Sequence, residues 1–206
     1  SFAVNIATNV ARRYEKAVAI FSLEMSNEQL IMRILSSEAR IYNEKMRIGN
    51  LNPDEWVQLA SCADLLSKTQ MYFDDSAGIT ATEMKAKLMR VKNLGLVVID
   101  YLQLMSSGGR SENRVQEISK ITRNLKIMAK ELDVPVILLS QLSRAAESRE
   151  GHRPMLSDLR DSGSIEQDAD IVLFLCRESY YEEEPEDLTK AQCIVAKNRH
   201  GVTGDV

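Results

Sequence analysis

The sequence predicts a doubly wound α/β fold with a mainly parallel sheet, and three observations support that prediction. Six short runs are strand-like, and most are nearly continuous in Val, Ile, Leu and Ala, as expected of strands covered on both faces. Segments with helical periodicity separate these runs, and this alternation is typical of parallel sheets. Polar residues follow three of the runs where each ends, at the carboxyl edge of such a sheet. The predicted strands are residues 17–23, 71–73, 96–99, 134–140, 169–175 and 192–196.

The predicted helices have recognisable starts. Ser26 and Gln29 form a capping-box pattern ahead of an apolar stripe, and Thr80 and Glu83 repeat that pattern. A longer helix is expected over about 114–132, because its apolar residues recur at helical spacing along one face. Three polar segments interrupt the alternation and are predicted as loops: 106–113, 143–165 and 180–189.

Composition limits the class of protein. With 206 residues, 44% hydrophobic and 27% charged, the chain suits one domain over 1–206 that buries its own core. Three cysteines without a CxxC pair indicate a reducing, cytoplasmic location, and two histidines make a zinc site improbable. No run is long enough to span a membrane. The net charge of −4 disfavours a surface coated for nucleic acid but permits a small basic lining inside a channel.

Three side chains at strand ends suggest a catalytic chemistry. Mg²⁺-dependent nucleotide hydrolysis needs a phosphate-binding loop, a carboxylate beside the metal, a base that orients water and a cation for the developing charge. Asp100 follows the 96–99 run and is a candidate for the carboxylate. Glu24 and Gln141 each follow another run and would share the same edge of a parallel sheet. Each residue alone could equally be a helix cap or a turn former, and Asp100 a turn residue after a core strand.

Five segments, in order along nearly the whole chain, extend this pattern. They are SLEMS at 22–26, VIDYLQL at 98–104, LSQLSR at 139–144, DLRDSGSIEQDAD at 158–170, and KNRHG at 197–201 followed by TG at 203–204. With these segments the chain closely resembles the ATPase domain of DnaB-type replicative DNA helicases, which have a RecA-like fold. The resemblance implies ATP and Mg²⁺ as cofactors.

The resemblance also implies roles for individual residues. Glu24 resembles the catalytic glutamate that polarises the attacking water, and Asp100 the aspartate that holds the Mg²⁺ shell through water. Gln141 resembles the sensor that couples the γ-phosphate to the DNA loops. Lys197 and Arg199 resemble the pair donated in trans to a neighbouring subunit's nucleotide, with Arg199 as the arginine finger. The alternative for this pair is ordinary edge-strand charges.

Three further assignments follow from the resemblance and have plainer alternatives. Arg33 is similar to a residue lying against the nucleotide base, although a solvated helix charge is an equal interpretation. The segment 160–163 resembles the loop that touches single-stranded DNA, with Arg160, Asp161 and Gly163 as the contacts. Arg110 and Arg114 form a second candidate, for which a plain flexible loop is the favoured interpretation.

The ends of the chain lead to a separate expectation. The family's Gly-rich phosphate loop is absent, and Ser1 aligns with the residue just after it, so the first strand and this loop are missing. Residues 201–206 follow a turn as if a further strand were due. We therefore expect the domain to be truncated at both ends and inactive as an isolated fragment.

The function predicted from the sequence is the motor domain of a hexameric replicative helicase that moves on single-stranded DNA. The resemblance implies a homo-hexamer with a primase and a helicase loader as partners. Two alternatives stay open. One is a RecA-like recombinase or another RecA-like ATPase, and the other is a non-catalytic fragment that acts in oligomerisation.

Overall fold

The computed structural model describes residues 2–108, 113–143, 146, 149, 152–159, 163–177 and 190–206. The chain divides into two compact units. The first unit comprises Ser1–Gly108 and Ile127–Leu139, and the second comprises Gly109–Lys126 and Ser140–Val206. The sequence predicts that residues 1–206 form a single domain, and this stays a prediction. The predicted loop at 180–189 lies outside the described residues.

A four-stranded parallel sheet forms the centre of the first unit, with the strand order β2-β1-β3-β4. All six residues of β1 and residues 96–99 of β3 are buried, as the continuous apolar runs predicted. The parallel α/β class is therefore confirmed. The strands are β1 Ala17–Ser22, β2 Met71–Asp74, β3 Leu94–Asp100 and β4 Val136–Leu138.

Five helices accompany this sheet. They are α1 Phe2–Arg13, α2 Asn27–Ala39, α3 Asn43–Ile48, α4 Pro53–Ser67 and α5 Ala81–Leu88. The small buried face of α1 packs with β1 and β3 in one hydrophobic core. Both predicted capping boxes are confirmed, at the starts of α2 and α5. Helices α3 and α4 were not predicted from the sequence, although α4 has a recognisable start, because Asn52 and Glu55 form a capping box and Pro53 is the first helical residue.

A smaller antiparallel sheet, with the order β5-β6-β7, belongs to the second unit. Its strands are β5 Ile171–Cys176, β6 Gln192–Asn198 and β7 Gly204–Asp205, and its short helix is α7 Gly163–Asp168. The runs at 169–175 and 192–196 were predicted as strands of one mainly parallel sheet, whereas β5 and β6 pair with each other in antiparallel fashion. The alternating burial of β5, with one face covered, is the pattern of an antiparallel sheet.

The predicted long helix is confirmed as α6 Arg114–Leu132, whose residues are shared by the two units. Its stripe of buried apolar side chains includes Ile118, Ile121, Leu125 and Met128. Among the described helices, none combines the length and apolar content needed to cross a membrane.

Candidate functional site

Two carboxylates meet at the carboxyl edge of the parallel sheet. Ser22, the last residue of β1, lies in register with Asp100, the last residue of β3. The backbone N–H of Leu23 donates to the carbonyl oxygen of Asp100 at 2.6 Å, so the pairing extends one residue past β1. Glu24 follows directly. Because both strands run in the same direction, they deliver Glu24 and Asp100 to the same edge, as the sequence predicted.

The turn that carries Glu24 is fixed at both ends. The buried hydroxyl of Ser22 donates to the carbonyl oxygen of Met25 at 2.8 Å. Ser26 then caps α2 through a reciprocal box with Gln29. A short turn held in this way presents the exposed Glu24 side chain on a rigid support.

The electrostatics of Asp100 set it apart from an ordinary turn residue. Burial, and next the negative charge of Glu24, raise the pKa of the Asp100 carboxyl above its usual range, while Arg33 acts in the opposite direction. Glu24, Asp100 and Arg33 are thus near enough to interact electrostatically. Among the described residues, neither carboxylate has a hydrogen-bond donor or an ion-pair partner for its side chain. The edge consequently carries two carboxylates whose negative charge Arg33 offsets only in part.

This arrangement fits a magnesium ion that is bound together with a nucleotide. The described residues contain no group of three His, Cys, Asp or Glu side chains that could hold a metal without help. Mg²⁺ does not require such a cage, since it usually keeps several waters and binds one or two carboxylates plus substrate phosphates. Asp100 is the carboxylate that would hold this shell.

The sequence analysis missed one carboxylate at this edge. Asp75 follows β2 and accepts a hydrogen bond from the backbone N–H of Asn27, the first residue of α2, at 3.2 Å. Asp75 therefore ties the end of β2 to the helix that carries Arg33. The signal was present in the sequence, because Asp74 and Asp75 end the 71–73 run in the same way that Asp100 ends its own run.

The second unit holds the two predicted cations side by side. Lys197 lies near the end of β6, and Arg199 is in the turn directly after that strand. The Lys197 ammonium donates to the carbonyl oxygens of Glu166 and Ala169, the latter at 2.7 Å. Arg199 contacts the same turn of chain through Asp170. Both cations are therefore held at the C-terminal end of α7, where carbonyl groups favour positive charge.

Gln141 is exposed and follows β4 by three residues. The next residue, Leu142, forms an isolated antiparallel bridge with Leu159. This bridge fixes the backbone beside Gln141. The role of Gln141 as a γ-phosphate sensor stays a prediction.

The predicted DNA contacts are only partly described. Arg160, Asp161 and Arg110 lie outside the described residues. Gly163 is the first residue of α7, and a Cβ added there would meet no atom within 4 Å. Arg114 is the first residue of α6 and forms an ion pair with Glu117 at 2.6 Å.

A buried ion pair next to the predicted DNA segment was also missed. The carboxylate of Asp158 is almost fully buried and accepts from both terminal nitrogens of Arg149, at 2.8 and 2.9 Å. It also accepts from the backbone N–H of Met155 at 2.8 Å. The hydrogen bond from Arg149 holds the pKa of the Asp158 carboxyl below its usual range. No local pattern in the sequence distinguishes this pair from surface charges, because nine residues separate its members.

Comparison with known proteins agrees with this geometry. The parallel sheet with two carboxylates at its carboxyl edge places the chain among the α/β proteins that bind ligands at such an edge. A family model described as the DnaB-like helicase C-terminal domain matches residues 1–206. The chain belongs to that family.

Individual relatives are similar over the whole chain. It is 51% identical over 210 residues to the replicative DNA helicase DnaC of Bacillus subtilis (strain 168), covering 100% of this chain and 46% of that protein. A solved structure of a DnaB-like replicative helicase and its interactions with primase superimposes with a TM-score of 0.95 at 38% identity, covering 100% and 50% of the chains. A solved ATPase domain gives 0.94 at 38% identity, covering 100% and 74%. The chain thus spans about half the length of the curated relatives it matches.

Proposed function

We propose that this chain is the motor domain of a ring-shaped, hexameric replicative DNA helicase. In this role it couples ATP hydrolysis at subunit interfaces to movement along single-stranded DNA and to duplex unwinding. The family and its replicative relatives support this proposal. The single observation that carries it is the pair Glu24 and Asp100 at one sheet edge, with negative charge that a metal–nucleotide complex would balance.

The proposed chemistry divides between neighbouring subunits. Glu24, exposed at the sheet edge, orients the attacking water and accepts its proton. Asp100 would hold Mg²⁺, which when bound would neutralise charge on the transferred phosphoryl group. Lys197 and Arg199 of an adjacent subunit supply positive charge as the γ-phosphate is transferred. Gln141 reports the state of the γ-phosphate, and Arg33 lies along the nucleotide base.

DNA contacts are assigned to the loops of the second unit. Arg160, Asp161 and Gly163 form the main contact with the strand backbone, and Arg110 and Arg114 form a second one. The ion pair of Asp158 with Arg149 supports this assignment, because it anchors the chain directly before residue 160. Such a loop binds single-stranded DNA by charge rather than by base sequence. The location is cytoplasmic, and the family further implies primase and a helicase loader as partners.

A subunit-mixing experiment tests the division of the active site. Full-length protein carrying Glu24→Gln and full-length protein carrying Arg199→Ala are each expected to lose most of their ATP turnover and to keep a measurable residual rate. In randomly mixed hexamers, about one quarter (½ × ½) of the interfaces combine an intact Glu24 with a neighbour's intact Arg199. Mixing should therefore restore a comparable fraction of the turnover and of strand unwinding.

Three results would reverse the proposal. If mixing restores nothing while mixed rings form, the two residues do not act across an interface. If the intact protein exchanges strands without unwinding them, the recombinase interpretation is correct. Stable rings that fail to bind nucleotide would instead favour a role in oligomerisation alone.

A further inference from the structure

The guanidinium of Arg199 contacts two residues, Gln167 in the last turn of α7 and Asp170 just after that helix. Its Nη1 forms an ion pair with Oδ1 of Asp170 at 3.1 Å, and its Nη2 donates to the carbonyl oxygen of Gln167 at 3.3 Å. The backbone of the same residue is tied as well, because the Arg199 N–H donates to the Asp170 carbonyl oxygen at 2.9 Å. Asp170 therefore fixes both the main chain and the side chain of Arg199.

Asp170 is itself held by a third residue. Its second carboxylate oxygen, Oδ2, accepts a hydrogen bond from the ammonium of Lys126 on α6. Each oxygen of the carboxylate thus has its own cation, and the two cations come from different elements. A carboxylate bound in this way has little rotational freedom and presents Oδ1 to Arg199 in one orientation.

The ion pair leaves Arg199 accessible. About half of the side chain, 47%, is exposed to solvent, and a guanidinium carries five N–H donors, of which one donates to the Gln167 carbonyl oxygen. The remaining donors can reach an anion outside the unit. An arginine that stabilises a transition state is less effective if its side chain must first be ordered. A fixed partner that leaves some of the guanidinium N–H donors free therefore suits such a residue.

We infer that Asp170 is the positioning residue for Arg199 and that Lys126 holds Asp170 in place. This inference rests on the proposed function, since it assumes that Arg199 acts on a neighbouring nucleotide. It adds that Arg199 is fully effective only while Asp170 holds its guanidinium and Lys126 holds Asp170. The same turn of chain follows α7, and α7 begins at the segment assigned to DNA, so movement of that segment would reach Arg199 through this turn.

The test is a double-mutant cycle in the full-length protein, with kcat and KM for ATP measured on assembled hexamers. Asp170→Asn should lower kcat by about tenfold and change KM by less than ~2-fold, because it removes orientation rather than substrate binding. In the Arg199→Ala background the same substitution should have no further effect. Lys126→Met should lower kcat by a smaller factor, about threefold, and should also lose its effect in that background.

Asp205→Asn is the matched control, because Asp205 lies on β7 of the same sheet and its carboxylate forms an ion pair with a different arginine, Arg153. It should leave kcat within about twofold of the parent. An unchanged kcat in Asp170→Asn, or a tenfold loss that persists in the Arg199→Ala background, would overturn the inference. If Asp170→Asn does not assemble, the Lys126→Met cycle decides by the same criterion. Full turnover of Arg199→Ala alone would contradict the proposed function instead.

Discussion

The parallel sheet of the first unit and the antiparallel sheet of the second unit place their charged residues under opposite conditions. At the parallel edge, Glu24 and Asp100 have no side-chain partner among the described residues, and their mutual repulsion adds to the burial of Asp100. On the antiparallel sheet, Lys197 and Arg199 are held by carbonyl oxygens and by Asp170. The two carboxylates therefore lack a paired cation among the described residues, whereas both cations are bound by groups of their own unit.

The same two sheets also differ in how they are covered. Every residue of β1 is buried, but in β5 burial alternates and three large apolar side chains are substantially exposed: Ile171, Leu173 and Leu175. A strand covered on both faces resists change along its whole length, while a strand with one open face tolerates change at alternate positions. Glu24 and Asp100 therefore lie at the edge of the more rigid of the two sheets.

The largest expected effect concerns the acidic edge. Glu24→Gln should lower ATP turnover of the full-length protein by about 10²–10⁴-fold, because the amide cannot accept a proton from water. Binding of the nucleotide should persist, and the variant should unfold at the temperature of the parent. Glu28→Gln is the control, since Glu28 is an exposed glutamate one helical turn further along, in the first turn of α2. Comparable losses in both variants would show that the position of Glu24 is not special.

The burial difference is tested by one substitution made in each sheet. Leu96→Ala in β3, where the side chain is 3% exposed, should cost about 3 kcal/mol of unfolding free energy, because it leaves a cavity between covered faces. Leu173→Ala in β5, where the side chain is 44% exposed, should cost less than about 1 kcal/mol. Urea unfolding of the 206-residue chain measures both values. Equal losses of unfolding free energy in the two variants would show that the two sheets do not differ in burial as described.

Sequence reasoning could locate the parallel edge because its signals are local. An apolar run that ends in a carboxylate identifies both a buried strand and its polar end, and parallel pairing then brings Glu24 and Asp100 together. The capping boxes are equally local, since their members lie three residues apart. These features were predicted from the sequence and are present in the structure.

Contacts between distant residues were beyond such reasoning. The pairing of β5 with β6 depends on strand direction, which an apolar run does not encode. The contact between Lys126 and Asp170 joins residues 44 positions apart, and no spacing rule links them. Lys197 and Arg199 could be identified by their resemblance to a family motif, but the carbonyl groups that hold them could not.

The next prediction concerns the anchor of the DNA segment. Asp158→Ala should lower the free energy of unfolding by about 2 kcal/mol at neutral pH. The substitution leaves Arg149 without its carboxylate partner and the Met155 N–H without an acceptor. The pKa of Asp158 is lowered in the folded chain, so its contribution is present above the ordinary value of 3.8 and is lost as pH falls through the lowered value.

Urea unfolding at pH 7 and in strong acid should therefore show the difference between parent and Asp158→Ala shrinking as the solution becomes more acidic. Asp205→Asn is the control for this series, because Asp205 also binds its arginine through both oxygens but at an exposed position. At neutral pH, Asp205→Asn should lower the free energy of unfolding by less than Asp158→Ala does. A cost for Asp158→Ala that does not depend on pH would assign its effect to lost packing rather than to the ion pair.

The smallest effect has the opposite sign. The pKa of Asp100 is raised in the folded chain, so the folded state binds the proton more tightly and stability falls as pH rises from 3.8 toward the raised value. Asp100→Asn removes the ionised carboxylate, and at neutral pH it should stabilise the chain by less than about 1 kcal/mol, or ~2–4 °C in Tm. In the full-length protein, adding Mg²⁺ with ADP should raise the Tm of the parent but have a much smaller effect on the variant. Thermal unfolding with and without the ligand measures both terms. Destabilisation by Asp100→Asn without ligand would mean that the carboxylate already has a favourable partner within the chain, and the contrast between an open acidic edge and anchored cations would then be lost.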